Sequence, residues 1–193
     1  MRITILLLFS LLSLLSINCG RTVTRINPAD QVDISGRWNN TDSRLVAEEM
    51  TSTILKADWI NNHQQAKSAR PVVIVGMVAN KSHEHIEAET FVKDVENSFI
   101  KSEKVRLVQG GQKREELRAE KADQQTNATA SSMKKFGMEQ GADYILQGSI
   151  NSIVDQHKRQ RVVYYQVNLE LTDIQSNEVV WIGDKKIAKY VKN

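Results

Sequence analysis

Apolar and polar positions divide the chain into an apolar leader, a polar stretch, a helix-rich middle and a strand-rich end. The leader runs from Ile3 to Ile17, with Ser10, Ser13 and Ser16 interrupting it. Cys19 to Asp33 is polar, contains Pro28 and keeps no sustained period, as a tether does. Ile34 to Asn40 (ISGRWNN) reads as a loop, with Thr41 or Asp42 as an N-cap. A helix is predicted from about Ser43 to Ile60, its stripe running through Leu45, Val46, Glu49, Thr53, Ile54 and Leu55. Asn61, Asn62 and His63 mark its frayed end. Pro71 opens the apolar, β-branched run Val72 to Val78, which predicts a fully buried strand. After a polar loop, a second helix spans about Ile86 to Ser102 with Phe91, Val92, Val95, Phe99 and Ile100 on one face, and Val105 to Val108 is a short strand. Gln112 to Gln125 is charged, with Leu117 its only large apolar residue, so it reads as a solvated helix. Ala130 to Gln140 is predicted to form a further helix, with Met133, Phe136 and Gly137 inward and Gly141 as its stop.

The last third changes period. Asp143 to Val154 alternates, and Gln156 to Gln160 is a basic turn. Arg161 to Asp173 then alternates with Val163, Tyr165, Val167, Leu169 and Leu171 on one face. Ser176 and Asn177 turn the chain into Glu178 to Gly183, and Ile187 to Val191 ends it. Together these make an antiparallel three-strand meander. The expected fold is α/β in the α+β sense: one domain with a mixed sheet, a C-terminal meander and flanking helices. The expected organisation is a signal peptide at 1–18, a modified N-terminus and short tether at 19–33, and a globular domain at 34–193.

Cys19 changes this picture most. Arg2, a short apolar run and a cysteine form the layout of a secretory signal with its processing point. The run is about 15 residues, short of the roughly 20 that span hydrocarbon. A cysteine at the cut resembles a bacterial lipobox, in which the thiol is diacylated and becomes the new N-terminus. Ser16 stands where that pattern usually has Leu, with Leu15 one place further back. Gly20 after the cysteine removes the acidic inner-membrane retention signal, which points to the outer membrane and its periplasmic face. The alternative is ordinary cleavage near Asn18, leaving a free thiol. With a single cysteine no intramolecular disulfide can form, so packing alone holds the fold. The 26 basic and 23 acidic residues nearly balance, which argues against a nucleic-acid binder.

Catalytic motifs are lacking. There is no phosphate-binding P-loop; the Gly110-Gly111 pair before a helix reads as a loop. No serine sits in a nucleophile elbow. His83-Glu84-His85, with Glu87 and Glu89 nearby, is the best metal candidate, since alternating histidines on a strand can share one ion. The plainer reading is a helix start whose acids meet the helix dipole, and no metal or other cofactor is expected. His157 to Arg161 (HKRQR) could touch an anionic polymer or lipid headgroups, against the plainer reading of a solvated hairpin tip.

Five segments together resemble the LpoB-type lipoproteins. They are SGRWNNTDSR (35–44), PVVIVG (71–76), GADYILQG (141–148), YYQVNLELTD (164–173) and VVW (179–181). Members of that family are outer-membrane lipoproteins that activate class A penicillin-binding proteins without being enzymes. The resemblance implies a non-enzymatic regulator that docks on a bifunctional peptidoglycan synthase and stimulates glycan polymerisation and cross-linking. It also implies a fold similar to the N-terminal domain of the Tol translocation protein and to curli-secretion lipoproteins; an export or structural lipoprotein of that second kind is the alternative function. Cys19 would be the lipid anchor, and Arg37, Trp38, Asn39, Asp42 and Arg44 the candidate partner-binding residues. Arg and Trp are enriched at interface hot spots, although Trp38 could instead pack on the domain as a staple for the following helix. A monomer is expected. The fifteen residues Cys19 to Asp33 reach at most about 50 Å when extended, whereas family members carry a long Pro-rich tether.

Overall fold

A computed structural model of the chain describes residues 21–134 and 139–192. The apolar leader and Cys19 lie outside the described residues. The chain divides into two units at Asp30 and Gln31. In the first, residues 21–30 carry no helix or strand, and Asn27 closes a turn by accepting from the Ala29 N–H at 3.0 Å. The second unit begins with a loop and continues as α1 (Asn40–Ile54), α2 (Trp59–Lys67), β1 (Val72–Lys81), α3 (Ala88–Ser102), β2 (Arg106–Leu107), α4 (Gly111–Asn127), β3 (Tyr144–His157), β4 (Gln160–Asp173) and β5 (Val179–Lys192). No described helix is long and apolar enough to cross a membrane.

The strands form one five-stranded mixed sheet in the order β2-β1-β3-β4-β5. β1 runs parallel to both neighbours, and β3, β4 and β5 are antiparallel. The mixed α+β architecture and the C-terminal meander are therefore as the alternation predicts. Strand period two sets the core face. Val163, Tyr165, Val167, Leu169 and Leu171 of β4 are all buried, and Leu146 and Ile150 of β3 sit opposite Leu171 and Val167. Onto this face α1 lays Val46, Ala47, Met50 and Ile54, and α3 lays Phe91, Val95 and Phe99. The gaps of three and four residues put each set on one helix face. Each of these large side chains contributes about 1.5–3 kcal/mol on burial. Gly148 on β3 has no room for a side chain, because a Cβ there would overlap the backbone carbonyl of Asn168.

Three expectations are corrected. The single helix from Ser43 to Ile60 is two helices. α1 ends at Ile54, whose carbonyl, left without an intrahelical partner, accepts from the Ala57 N–H (3.3 Å) and the Trp59 indole N–H (2.8 Å). Asn61 to His63 are then not a frayed end but part of α2, because buried His63 finds the Tyr144 hydroxyl on β3 at 3.1 Å. The helix expected at Ala130 to Gln140 is absent where the chain is described: 130–132 form a turn, 133–134 and 139–140 are irregular, and Phe136 and Gly137 lie outside the described residues. The end of the chain is one continuous strand, β5, rather than two pieces. Helix α4 matches its reading: it buries no residue and is held at its surface by Arg118 to Glu115 (2.7 Å) and Arg118 to Glu139 (3.1 Å).

Candidate functional site

The loop before α1 is short, polar and tied at every turn. Gly36 takes a φ of 65°, in the left-handed region that favours glycine, and a Cβ there would overlap the Val191 side chain of β5. Its N–H donates to Asp33 Oδ1 (3.0 Å). Three residues later Asn39, rather than the expected Thr41 or Asp42, caps α1. The Asn39 side chain accepts from the Asp42 N–H (3.2 Å), and Asp42 Oδ2 accepts from the Asn39 N–H (2.9 Å). This reciprocal capping box satisfies two orphan donors.

Lys189 of β5 locks the loop to the sheet. Its Nζ lies 2.6 Å from Asp42 Oδ2 and 2.7 Å from Asp33 Oδ2, and donates to the Arg37 carbonyl at 2.8 Å. An ammonium has three N–H donors, and each finds an acceptor here. Lys189 and Asp42 are both buried, which a charge tolerates only when paired.

A second cluster sits under the loop. Trp38 donates its backbone N–H to Glu84 Oε2 (3.1 Å), while its ring meets Tyr165 edge-on at 5.5 Å between centroids. Arg161 lies 3.4 Å from Glu84 Oε1 and donates to His83 Nε2 at 2.9 Å, which leaves His83 Nδ1 to donate to Ser152 Oγ at 2.6 Å. The Tyr165 hydroxyl is buried and makes no hydrogen bond of good geometry. Burial pushes its pKa well up, and the nearby Glu84 carboxylate adds to the rise. Of the metal candidate, His83 and Glu84 are engaged as described, and Glu89 pairs with Lys113 at 3.4 Å. Among the described residues no group of three His, Cys, Asp or Glu is placed to hold a metal ion.

The five predicted partner-binding residues therefore divide by position. Trp38 is half-buried on Tyr165, Asn39 is the cap, and Asp42 is buried under Lys189. Arg37 is exposed, and Arg44 is half-buried with Glu48 at 3.2 Å. Sequence reasoning missed Lys189 and Asp33, and named Glu84 only as a metal ligand and not as the acceptor for Trp38 and the partner of Arg161. One signal for Lys189 was available: strand alternation puts Ile187, Lys189 and Val191 on one face, and Lys189 sits opposite core residue Val163. A lysine between β-branched residues on a core face requires a buried anion.

Among solved structures the chain is similar to the C-terminal domain of LpoB from Escherichia coli, with 19% identity, 79% of this chain and 99% of that chain covered, and a TM-score of 0.47. It is also similar to the LpoB C-terminal domain from Salmonella enterica (19% identity, 76% and 98% covered, TM-score 0.43). A further match is the PelC dodecamer from Paraburkholderia phytofirmans (18% identity, 63% and 73% covered, TM-score 0.36). No curated protein matches the chain. The family model described as peptidoglycan-synthase activator LpoB matches residues 42–187, from buried Asp42 through α1 to the middle of β5, and the chain belongs to that family.

Proposed function

We propose that this chain is a lipid-anchored, non-enzymatic regulator that docks on a class A penicillin-binding protein and stimulates peptidoglycan synthesis. Membership of the peptidoglycan-synthase activator family over residues 42–187 carries the reading. The leader and Cys19 support export, acylation and anchoring at the periplasmic face of the outer membrane. Residues 1–18 are then a signal peptide, 19–33 the lipidated tether and 34–193 the working domain, acting as a monomer with no cofactor and no nucleic acid. The docking surface is placed on the clamped segment 37–44. Arg37 and Arg44 supply the contacts, and Trp38, Asn39 and Asp42 hold the loop in shape. A tether of fifteen residues limits the domain to about 50 Å from its membrane, so the docking domain of the synthase must lie within that distance.

The test is a pull-down from solubilised envelopes with the mature chain as bait, followed by a glycan-polymerisation assay. Recovery of a class A penicillin-binding protein, with turnover raised by wild type and less by Arg37→Ala/Arg44→Ala, is the expected result. Recovery of the bait alone as a ring, or of secretion components, would replace this reading with an export role. Cys19→Ala is expected to lose membrane retention and cellular function. A soluble variant that works as well as wild type would remove the anchor from the mechanism.

A further inference from the structure

The basic turn HKRQR does not stand alone. Folding brings it beside the loop before α1. Ser35 and Arg37, the hairpin tip between β3 and β4, and Val191 of β5 enclose an open cleft of about 470 Å³. Arg37, Lys158, Arg159 and Arg161 line it, and the side-chain amides of Gln156 and Gln160 add hydrogen-bonding groups. Of the four cations, Arg161 has a carboxylate partner at 3.4 Å, Glu84 beneath it. Cross-strand register adds Lys192 opposite Gln160, extending the charge along the rim.

The turn chemistry points the same way. His157 pairs with Gln160, so Lys158 and Arg159 form a two-residue hairpin loop. Lys158 takes a φ of 52° there. Such loops favour Asn, Asp or Gly, which adopt positive φ at little cost. Here cations occupy both loop positions, and Lys158 holds the positive-φ one, where Asn, Asp or Gly would cost less.

Location selects the anion. Ser35 and Arg37 stand only a few residues beyond Gln31, where the folded unit starts, so the cleft lies where the chain enters the domain. Cys19 precedes Ser35 by sixteen residues, a reach of at most about 50–60 Å. We propose that this cleft binds the phosphates of anionic phospholipid headgroups in the membrane that carries the N-terminal lipid, a second and reversible membrane contact. The location argument rests on the anchoring reading above; the binding itself does not, and is tested without the lipid.

The test uses the mature chain, residues 19–193, with Cys19→Ser to prevent acylation, sedimented with vesicles. One set is phosphatidylcholine alone, and the other contains about one third phosphatidylglycerol. Binding is expected only to the anionic set and should weaken with salt. Each basic side chain near an anionic surface is worth about fivefold in partition. Lys158→Asn/Arg159→Gln should therefore lower partition about 25-fold. Asn tolerates the positive φ, and an unchanged Tm would show that the fold is intact. Arg159→Gln alone, which leaves the Lys158 position untouched, should lose about fivefold. Equal binding to both vesicle sets, or partition unchanged in both variants, overturns the proposal. Titration of inorganic pyrophosphate separates the sources: pyrophosphate binding without vesicle binding would identify a free-anion site and overturn the membrane assignment. Pelleting with purified cell-wall sacculi but not vesicles would overturn it in favour of a wall polymer. Acylation of Cys19 is read separately on the unsubstituted chain, so a failed anchor leaves the vesicle result standing and failed vesicle binding overturns this contact without touching the anchor.

Discussion

Replacing Lys189 with methionine isolates the clamp between the loop and the sheet. Methionine keeps an unbranched apolar stem and removes the ammonium that sits 2.6 Å from Asp42 and 2.7 Å from Asp33. The two aspartates respond differently. The Asp33 side chain is 45% exposed and returns to water, and losing an exposed pair costs about 0–1 kcal/mol. The Asp42 side chain is 9% exposed and is left as a buried charge, for which about 3–5 kcal/mol is typical. Asp42 keeps the Asn39 N–H at 2.9 Å, so the lower end, about 3 kcal/mol, is expected. For a domain of this size 1 kcal/mol moves Tm by about 2–4 °C, so Tm should fall by roughly 6–12 °C. Urea denaturation followed by circular dichroism should show a lower midpoint at an unchanged slope. Adding Asp42→Asn should recover part of the loss, because the amide oxygen can still accept the cap hydrogen bond without burying a charge. A Lys189→Met variant within about 1 kcal/mol of wild type would refute the reasoning and leave the loop held by Trp38 on Tyr165 and Glu84 and by the capping box.

Gly36→Ala should cost more than the roughly 1–2 kcal/mol of a left-handed residue, because its Cβ also overlaps Val191; a Tm unchanged from wild type would show that the loop relaxes freely. Gly148→Ala pushes on the Asn168 carbonyl inside the sheet and should lower stability by roughly 3 kcal/mol or more, read as loss of soluble folded protein. Acid should destabilise the domain in two stages. Burial lowers the His63 pKa, so its contribution is fully present above the unfolded value near 6.5 and is lost as pH falls through the depressed folded value. Burial raises the Asp143 carboxyl, but the Lys67 hydrogen bond and the Val72 N–H outweigh it, and the net lowering gives a second loss in the carboxylate range. A Tm that rises on acidification from neutral pH would contradict both. Trp38→Ala removes the edge contact to Tyr165 and should cost about 3–5 kcal/mol less whatever exposed ring area it sheds, measured by the same urea titration.

The sequence by itself determined the elements whose partners are local or periodic. Alternation in Arg161 to Asp173 marked the five buried positions of β4, and apolar spacing marked Phe91, Val95 and Phe99 on the inner face of α3, although Ile100, expected beside them, is exposed. Charge with Leu117 as the only large apolar position marked α4 as solvated. The segment 35–44 was legible as a motif and as the approach to a helix, but the cap was misplaced: Thr41 or Asp42 was expected, and Asn39 caps with Asp42 as its N3 partner. Tertiary structure decided whatever depends on distant partners. The fate of His63 needs Tyr144, 81 positions away. The loop is clamped by Lys189 across 152 positions, and the cleft exists only because a hairpin tip returns to Arg37. Local propensity carries no information about such pairings. Their free energy comes from satisfying buried charges and polar groups that meet only when the sheet has closed.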